Sequence, residues 1–224
     1  MERKPFEGFT TELTDFLWDI RFNNYREWFH ENRNRYVSLL KDPIYSLAYE
    51  LQDRIKEETG KNLVPVVSRI NRDIRFSKNK EPYRDHMWIV FKEEEESNWQ
   101  CRPCLFFELT PKDYRLGAGA YHYPPTYMKA FRNKVDANVD GFKRLITPYD
   151  KAKRYSIMGD TYKKKLQETN KPEEVLNWYK RKEIALVLEQ ELDPVFYSRD
   201  IVDFCSKEFK FLMPFFDYMS DIRV

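Results

Sequence analysis

Apolar residues recur every three to four positions at Leu13, Phe16, Leu17 and Ile20, which predicts a helix that begins after Phe9-Thr10 and ends at Asn23-Asn24. Asn24 followed by Glu27 has the spacing of a capping box. A second helix is therefore expected from Asn24, with Trp28, Phe29, Tyr36 and Leu40 facing inward. Lys41-Asp42-Pro43 interrupts it, and Leu47, Leu51 and Ile55 carry a third helix to a stop at Thr59-Gly60.

From Val66 the period falls to two. Val66, Ser68, Ile70, Arg72, Ile74 and Phe76 alternate with Val67, Arg69, Asn71, Asp73 and Arg75, which predicts a strand. Met87 to Phe91, Leu105 to Leu109 and Tyr114 to Ala120 supply three more, separated by turn-length polar segments such as the run Glu93-Glu94-Glu95-Glu96. A meander of this kind predicts an antiparallel sheet. Pro124-Pro125-Thr126 opens a helix with Tyr127, Met128, Phe131 and Val135 on one side. Further helices are expected over Val139 to Ile146, Glu173 to Leu192 and Ser198 to Met213, with Ser198 as a cap.

Helices, then strands, then helices argue for the α+β class: a central, mainly antiparallel sheet flanked by N- and C-terminal helices. The expected division is helical over 9–59, sheet over 64–122 and helical over 124–220, in one domain spanning 1–224. Nothing in the chain reads as a linker, and 224 residues fit one core.

Composition narrows the classes. Aromatic residues make up 17% of the chain and glycines number only 6, which excludes disordered and collagen-like sequences. The longest uncharged apolar stretch, Phe211 to Phe216, is far short of the roughly 18 residues of a membrane helix. The opening Met1-Glu2-Arg3-Lys4-Pro5 has no apolar leader, so the cytoplasm is the expected compartment and no membrane is expected among the partners. Cys101, Cys104 and Cys205 are odd in number. Cys101-Arg102-Pro103-Cys104 leads into a strand rather than a helix, so it lacks the dipole of a thioredoxin-type pair. No second ligand cluster accompanies it. No metal and no cofactor is expected.

The formal net charge is only +2, but it is unevenly spread. From Arg69 to Arg84, six basic residues face Asp73 and Glu81, a net +4. Strand geometry would place Arg69, Asp73 and Arg75 on one face, with Asp73 orienting a neighbouring guanidinium. Arg69, Arg72, Arg75, Lys78 and Lys80 together suit a phosphate or carboxylate, because Arg offers planar paired donors and Lys a mobile charge. Arg26 joins them from the opening helix pair, where it shares a face with Arg33. Gly117 and Gly119, two apart on one strand, allow close approach by a ring or a ligand. Asp73, His122 and Tyr83 are the candidates for orienting the ligand or moving a proton. From Lys151 to Lys165 six basic residues stand against Asp160, interleaved with Tyr155 and Tyr162, a composition suited to single-stranded nucleic acid.

Several of these segments resemble the motifs of a family of conserved hypothetical proteins, a domain of unknown function found in bacteria and fungi. They are Gly8-Phe9, Asn23-Asn24-x-Arg26-Glu27-Trp28-Phe29 and Arg72-Asp73-Ile74-Arg75-Phe76-Ser77-Lys78-x-Lys80-x-Pro82-Tyr83, followed by Gly117-x-Gly119-x-Tyr121 before Pro124 and Gly159-Asp160 with its lysines. The segment after Lys165 departs from the family in lacking a Pro-Gly-rich continuation. The resemblance implies a single cytoplasmic α+β domain and names no reaction, so whether the chain is an enzyme stays open.

The expected function is binding or turnover of a small anionic ligand at the Arg/Lys-rich stretch. The alternative is a nucleic-acid or protein-binding module using the positive patches, with the near-neutral total counting against nucleic acid. Trp99 is the candidate for a protein contact. Nothing in the sequence sets an oligomeric state.

Overall fold

A computed structural model describes residues 4–96, 98–162 and 170–223. The amphipathic stripe of the N-terminus forms α1 (Thr11–Phe22), with Leu13, Phe16, Leu17 and Ile20 all buried. It is followed by α2 (Arg26–Glu31) and a short turn, α3 (Arg33–Arg35). This passes through a π-helical turn over Tyr36–Lys41 into α4 (Asp42–Thr59). Gly60 ends α4 in the left-handed region at φ 72°, a conformation that glycine adopts without a Cβ penalty.

Six strands form one sheet among the described residues: β1 (Leu63–Val67), β2 (Met87–Glu93), β3 (Cys104–Leu109), β4 (Asp113–Gly119), β5 (Ser156–Met158) and β6 (Ala185–Glu191). Their order is β1-β2-β3-β4-β6-β5, and every pairing is antiparallel. Between β4 and β5 stand α5 (Pro125–Ala137) and α6 (Val139–Ala152), and α7 (Glu173–Tyr179) precedes β6. The chain closes with α8 (Asp200–Ser220). The α+β architecture anticipated from the hydrophobic pattern is the one observed.

The sheet is two-faced. Ile89, Phe91, Leu105, Phe107, Leu116, Ala118, Leu186 and Leu188 point into the core, with α4 packed on β1 and β2 and α8 on β3 and β4. The alternate residues Val66, Trp88, Phe106 and Val187 are only half-buried. Phe9 stacks on Phe196, with centroids 4.8 Å apart, and Phe91 meets Phe209 edge-on at 5.5 Å. Much of the aromatic content is therefore core packing.

The break expected at Lys41-Asp42-Pro43 does not occur, since Lys41 and Asp42 keep right-handed helical dihedrals and the turn runs on into α4, and three further local expectations differ from the structure. The strand over 66–76 stops at Val67, and residues 69–86 form an irregular finger instead. Its limbs touch through the Asn71–Tyr83 bridge, Arg72 N donating to Pro82 O (2.8 Å) and Arg84 N to Ile70 O (2.8 Å). Pro82 has no N–H for a regular ladder. Moreover, both backbone groups of Tyr83 are taken by the Asn24 side chain: Nδ2 donates to Tyr83 O (3.0 Å) and Tyr83 N donates to Oδ1 (2.9 Å). Asn24 is thus not the cap of α2, whose N-cap is Tyr25. Third, the helix expected over 173–192 ends at Tyr179, and Ala185–Glu191 is a strand between β4 and β5. Ser198 stands one residue outside the N-cap Arg199 of α8, where its Oγ accepts from Asp200 N at 3.2 Å.

Asn24→Ala leaves the Tyr83 N–H and C=O without their partners. It should cost about 1–3 kcal/mol in urea unfolding, with faster amide exchange confined to the finger. Unchanged exchange across 69–86 would show that the clamp does not hold it.

Candidate functional site

The base of the finger is fixed from the helical layer. Besides the Asn24 clamp, the Phe29 ring stacks on Tyr83, with centroids 3.9 Å apart, and Arg21 Nε donates to Asp85 Oδ2 at 2.5 Å. Asp85 Oδ1 lies 3.1 Å from His86 Nδ1. The His86 ring and the Arg21 guanidinium together hold the Asp85 carboxyl down at about 2. Arg84 and His86 are thereby placed at the end of β2, where the finger meets the open sheet face.

A cavity of about 620 Å³ lies on that face. Its walls include Trp88, Val90, Trp99, Phe106 and Tyr121, and its polar groups are Arg84, His86, Gln100 and Glu108. The register explains the grouping: Val90 faces Phe106 and Trp88 faces Glu108 across β2 and β3, while Phe106 faces Gly117 on β4. Trp99 comes over this surface from the turn Trp99–Cys101, with its ring centroid 5.9 Å from that of Trp88. Gly117 makes room for the Phe106 ring, since a Cβ there would fall 2.6 Å from Phe106 Cζ and 2.1 Å from Leu186 O. Gly119 lines the cavity against Ala185.

Arg84 has no acidic partner among the described residues, whereas most cations nearby are paired. A second cavity of about 430 Å³ shares Arg84 and His86 and continues over Arg21, Asn24, Arg72, Asn79, Glu81, Tyr83 and Asp85. Within it Arg72 pairs with Glu81 at 3.4 Å, and Asn79 Nδ2 donates to Glu81 Oε2 at 2.7 Å. The unpaired guanidinium thus sits where the aromatic cavity meets the polar one.

The residues singled out from sequence divide accordingly. Gly119 lines the first cavity, Gly117 underlies its Phe106 wall, and Arg72 and Tyr83 line the second. His122 stands beside the first, its backbone N donating to Gln100 O (3.0 Å) and its Nδ1 2.6 Å from Glu183 Oε1. Asp73 and Arg75 do form the anticipated two-point pair (2.9 and 2.7 Å), but in the exposed finger rather than on a strand face. That pair holds the Asp73 carboxyl near 2 and leaves Arg75 committed. Lys80 Nζ donates to Ile74 O at 3.0 Å. Arg26, Arg69 and Lys78 are exposed, and they line neither cavity. The finger's cations therefore do not converge on one pocket. Lys163, Lys164 and Lys165 of the later basic stretch lie outside the described residues.

Sequence reasoning missed Arg84, Trp88, Phe106 and Glu108 as a group. Their shared signal was the alternation within β2 and β3, which places Trp88 and Val90 opposite Glu108 and Phe106 on the uncovered face. Cys104 also lies there, with Sγ directed at Gly119 O (3.0 Å) and its thiol pushed up to about 12 by burial. It is a poor nucleophile in that state.

The family model described as conserved hypothetical protein (DUF2461) matches residues 12–218. The chain belongs to this family. A comparison with curated proteins finds no match. The matched span contains both cavities and all the residues that fix them, so the finger and the open sheet face are parts of the family's domain. No helix of the described residues is long and apolar enough to cross a membrane.

Two measurements test this geometry. Asp85 is ionised well below the ordinary carboxylate range, so its stabilisation is full above about pH 4 and is lost as the pH falls toward about 2. Asp85→Asn should cost about 1–2 kcal/mol at pH 5 after allowance for partial exposure. That difference from the parent should close by about pH 2. Gly117→Val should destabilise by about 1–3 kcal/mol in urea unfolding, because the Leu186 carbonyl cannot yield as a flexible side chain would.

Proposed function

We propose that the protein binds a small ligand that combines a planar apolar ring with a phosphate or carboxylate group, in the cavity on the open sheet face. The observation that carries this reading is the unpaired Arg84 guanidinium beside half-buried Trp88 and Trp99. The tryptophan and Phe106 rings offer faces for stacking. Arg84 offers paired donors to the anion, and Glu108 accepts from a donor on the ligand. The volume of about 620 Å³ falls in the range of small-molecule sites, roughly 300–1,000 Å³.

The reading keeps the anionic ligand expected from the sequence and moves its anchor to the last residue of the basic stretch. Arg75, held by Asp73, and Lys80, directed at the Ile74 carbonyl, then serve the finger's own shape. His122, paired with Glu183 and joined by its backbone N–H to the cavity residue Gln100, is the candidate for proton exchange with a bound ligand.

Tryptophan fluorescence offers a direct test, because Trp88 and Trp99 line the cavity. Indole-3-acetate, benzoate and nucleoside monophosphates would be titrated beside their neutral amide or nucleoside counterparts. At least one anion should quench the emission, and Arg84→Ala should weaken its binding at least tenfold. Arg75→Ala with Lys78→Ala should leave it unchanged. Equal binding of the neutral counterpart, or loss in the finger variant alone, overturns the assignment.

A further inference from the structure

A third concavity, apart from the two cavities at the finger, runs as a groove between α6 and α8. Its volume is about 530 Å³, and its lining is Leu145, Pro148, Tyr149, Phe211 and Pro214 with Arg144, Arg154, Lys207 and Lys210. Four cations surround an apolar floor, and no acidic side chain lines it.

The floor follows from the two helices themselves. Pro148 and Pro214 stand inside α6 and α8 and are exposed. Pro has no N–H, so the carbonyls of Arg144 and Lys210, four residues earlier, lose their helical donors. Tyr149 closes the floor by donating its hydroxyl to Phe211 O (3.2 Å) and meeting the Phe211 ring edge-on at 5.2 Å. The apolar surface is thus held in place, while the prolines keep it from being an ordinary helix seam.

The four cations are not equivalent. Arg154 is engaged by the buried Glu208 at 2.9 Å and lies over the Tyr155 and Phe211 rings. Glu208 also accepts from the Tyr155 hydroxyl. The nearest acid to Lys210 is Glu58, at 3.9 Å, and that carboxylate already accepts from Ser206. Arg144 and Lys207 have no acidic partner among the described residues. One rim cation is therefore structural, one is weakly held, and two are uncommitted beside apolar surface. A head group of negative charge satisfies the uncommitted pair, and an attached hydrocarbon covers the Leu145, Phe211 and proline floor.

We infer that this groove binds a monomeric amphiphile with one anionic head, carboxylate or sulfate, and an aliphatic tail. The site is independent of the ring-binding cavity. The uncommitted cations give the ionic contact, and the tail supplies the apolar contribution by covering the floor.

The test uses the full chain with decanoate, decyl sulfate and decanol, each below its micellar concentration, in isothermal titration calorimetry. Decanoate and decyl sulfate should bind at least tenfold more tightly than decanol. Arg144→Glu with Lys207→Glu changes two exposed residues that hold no acid, and circular dichroism would confirm that the variant is folded. It should weaken both anions at least tenfold, whereas Arg84→Ala should leave them unchanged. Decanol binding as tightly as decanoate, no measurable binding, or insensitivity to the double reversal overturns the inference. So does an association seen only with phosphatidylglycerol vesicles, which would make the groove a membrane contact.

Discussion

The grip of the Asn24 carboxamide on the Tyr83 peptide is the contact through which the helical layer governs the opposite side of the molecule. A carboxamide carries one donor and one acceptor side by side, as a neighbouring strand would, and here it replaces that strand for a single residue. The Phe29 ring on Tyr83 and the Arg21–Asp85 ion pair sit on either side of it. Residues 59 apart in sequence are joined, and the finger's base cannot drift without breaking two hydrogen bonds, a ring stack and an ion pair together. Arg84 and His86 follow Tyr83 directly, so their approach to the open sheet face is set by α1 and α2 rather than by the strands they adjoin. A change in the helix corner would reach the cavity without touching any of its walls.

The sheet itself explains why a cavity exists there. α4 and α8 cover β1 to β4 on one face, and the other keeps large rings at only half burial. Half-exposed Trp88 and Phe106 on a sheet would ordinarily invite further strands or helices. The turn at Trp99–Cys101 and the segment at Tyr121 instead come over part of the surface and leave the remainder as a concavity. Gly117 completes the shape by subtraction, since any side chain there would displace the Phe106 ring from the position that makes it a wall.

Period-three-to-four and period-two patterns were sufficient for α1, α4 and β2 to β4, because each has one face in the core and a helix stop or turn at its end. β6 escaped for a definite reason. Ile184-Ala185-Leu186-Val187-Leu188 is continuously apolar and follows helix-forming Glu173 to Tyr179, so nothing local separates a strand from an extended helix. Its alternation exists only in the burial, with Leu186 and Leu188 inside and Val187 half-buried. Asn24 escaped differently: its spacing from Glu27 satisfied a local rule, while its real partner lay across the fold. The finger was legible as basic but not as bent. Alternation from Val66 to Phe76 assumes a partner strand, and Pro82 and the Asn24 clamp remove the conditions for one. The site was correspondingly half-legible, with Gly119 and Tyr83 found, Arg84 counted only as one charge of the basic stretch, and Trp88 and Glu108 read only as parts of strands.

The near-zero total charge acquires a different meaning once partners are assigned. Arg21, Arg35, Arg54, Arg72, Arg75, Arg102, Arg115 and Arg199 all meet carboxylates, so these charges are spent in local pairs. Such exposed pairs contribute little individually. The informative cations are those left over where apolar surface is also left over: Arg84 beside Trp88 and Trp99, and Arg144 with Lys207 beside Phe211 and Pro214. A cation next to open water is already satisfied by it. Beside an apolar wall it lets an incoming ligand join an ionic contact to the burial of apolar surface. Charge density along the chain therefore points to the finger, while the pairing of free charge with apolar surface points away from it, to the two places where a cation and an apolar surface share an edge.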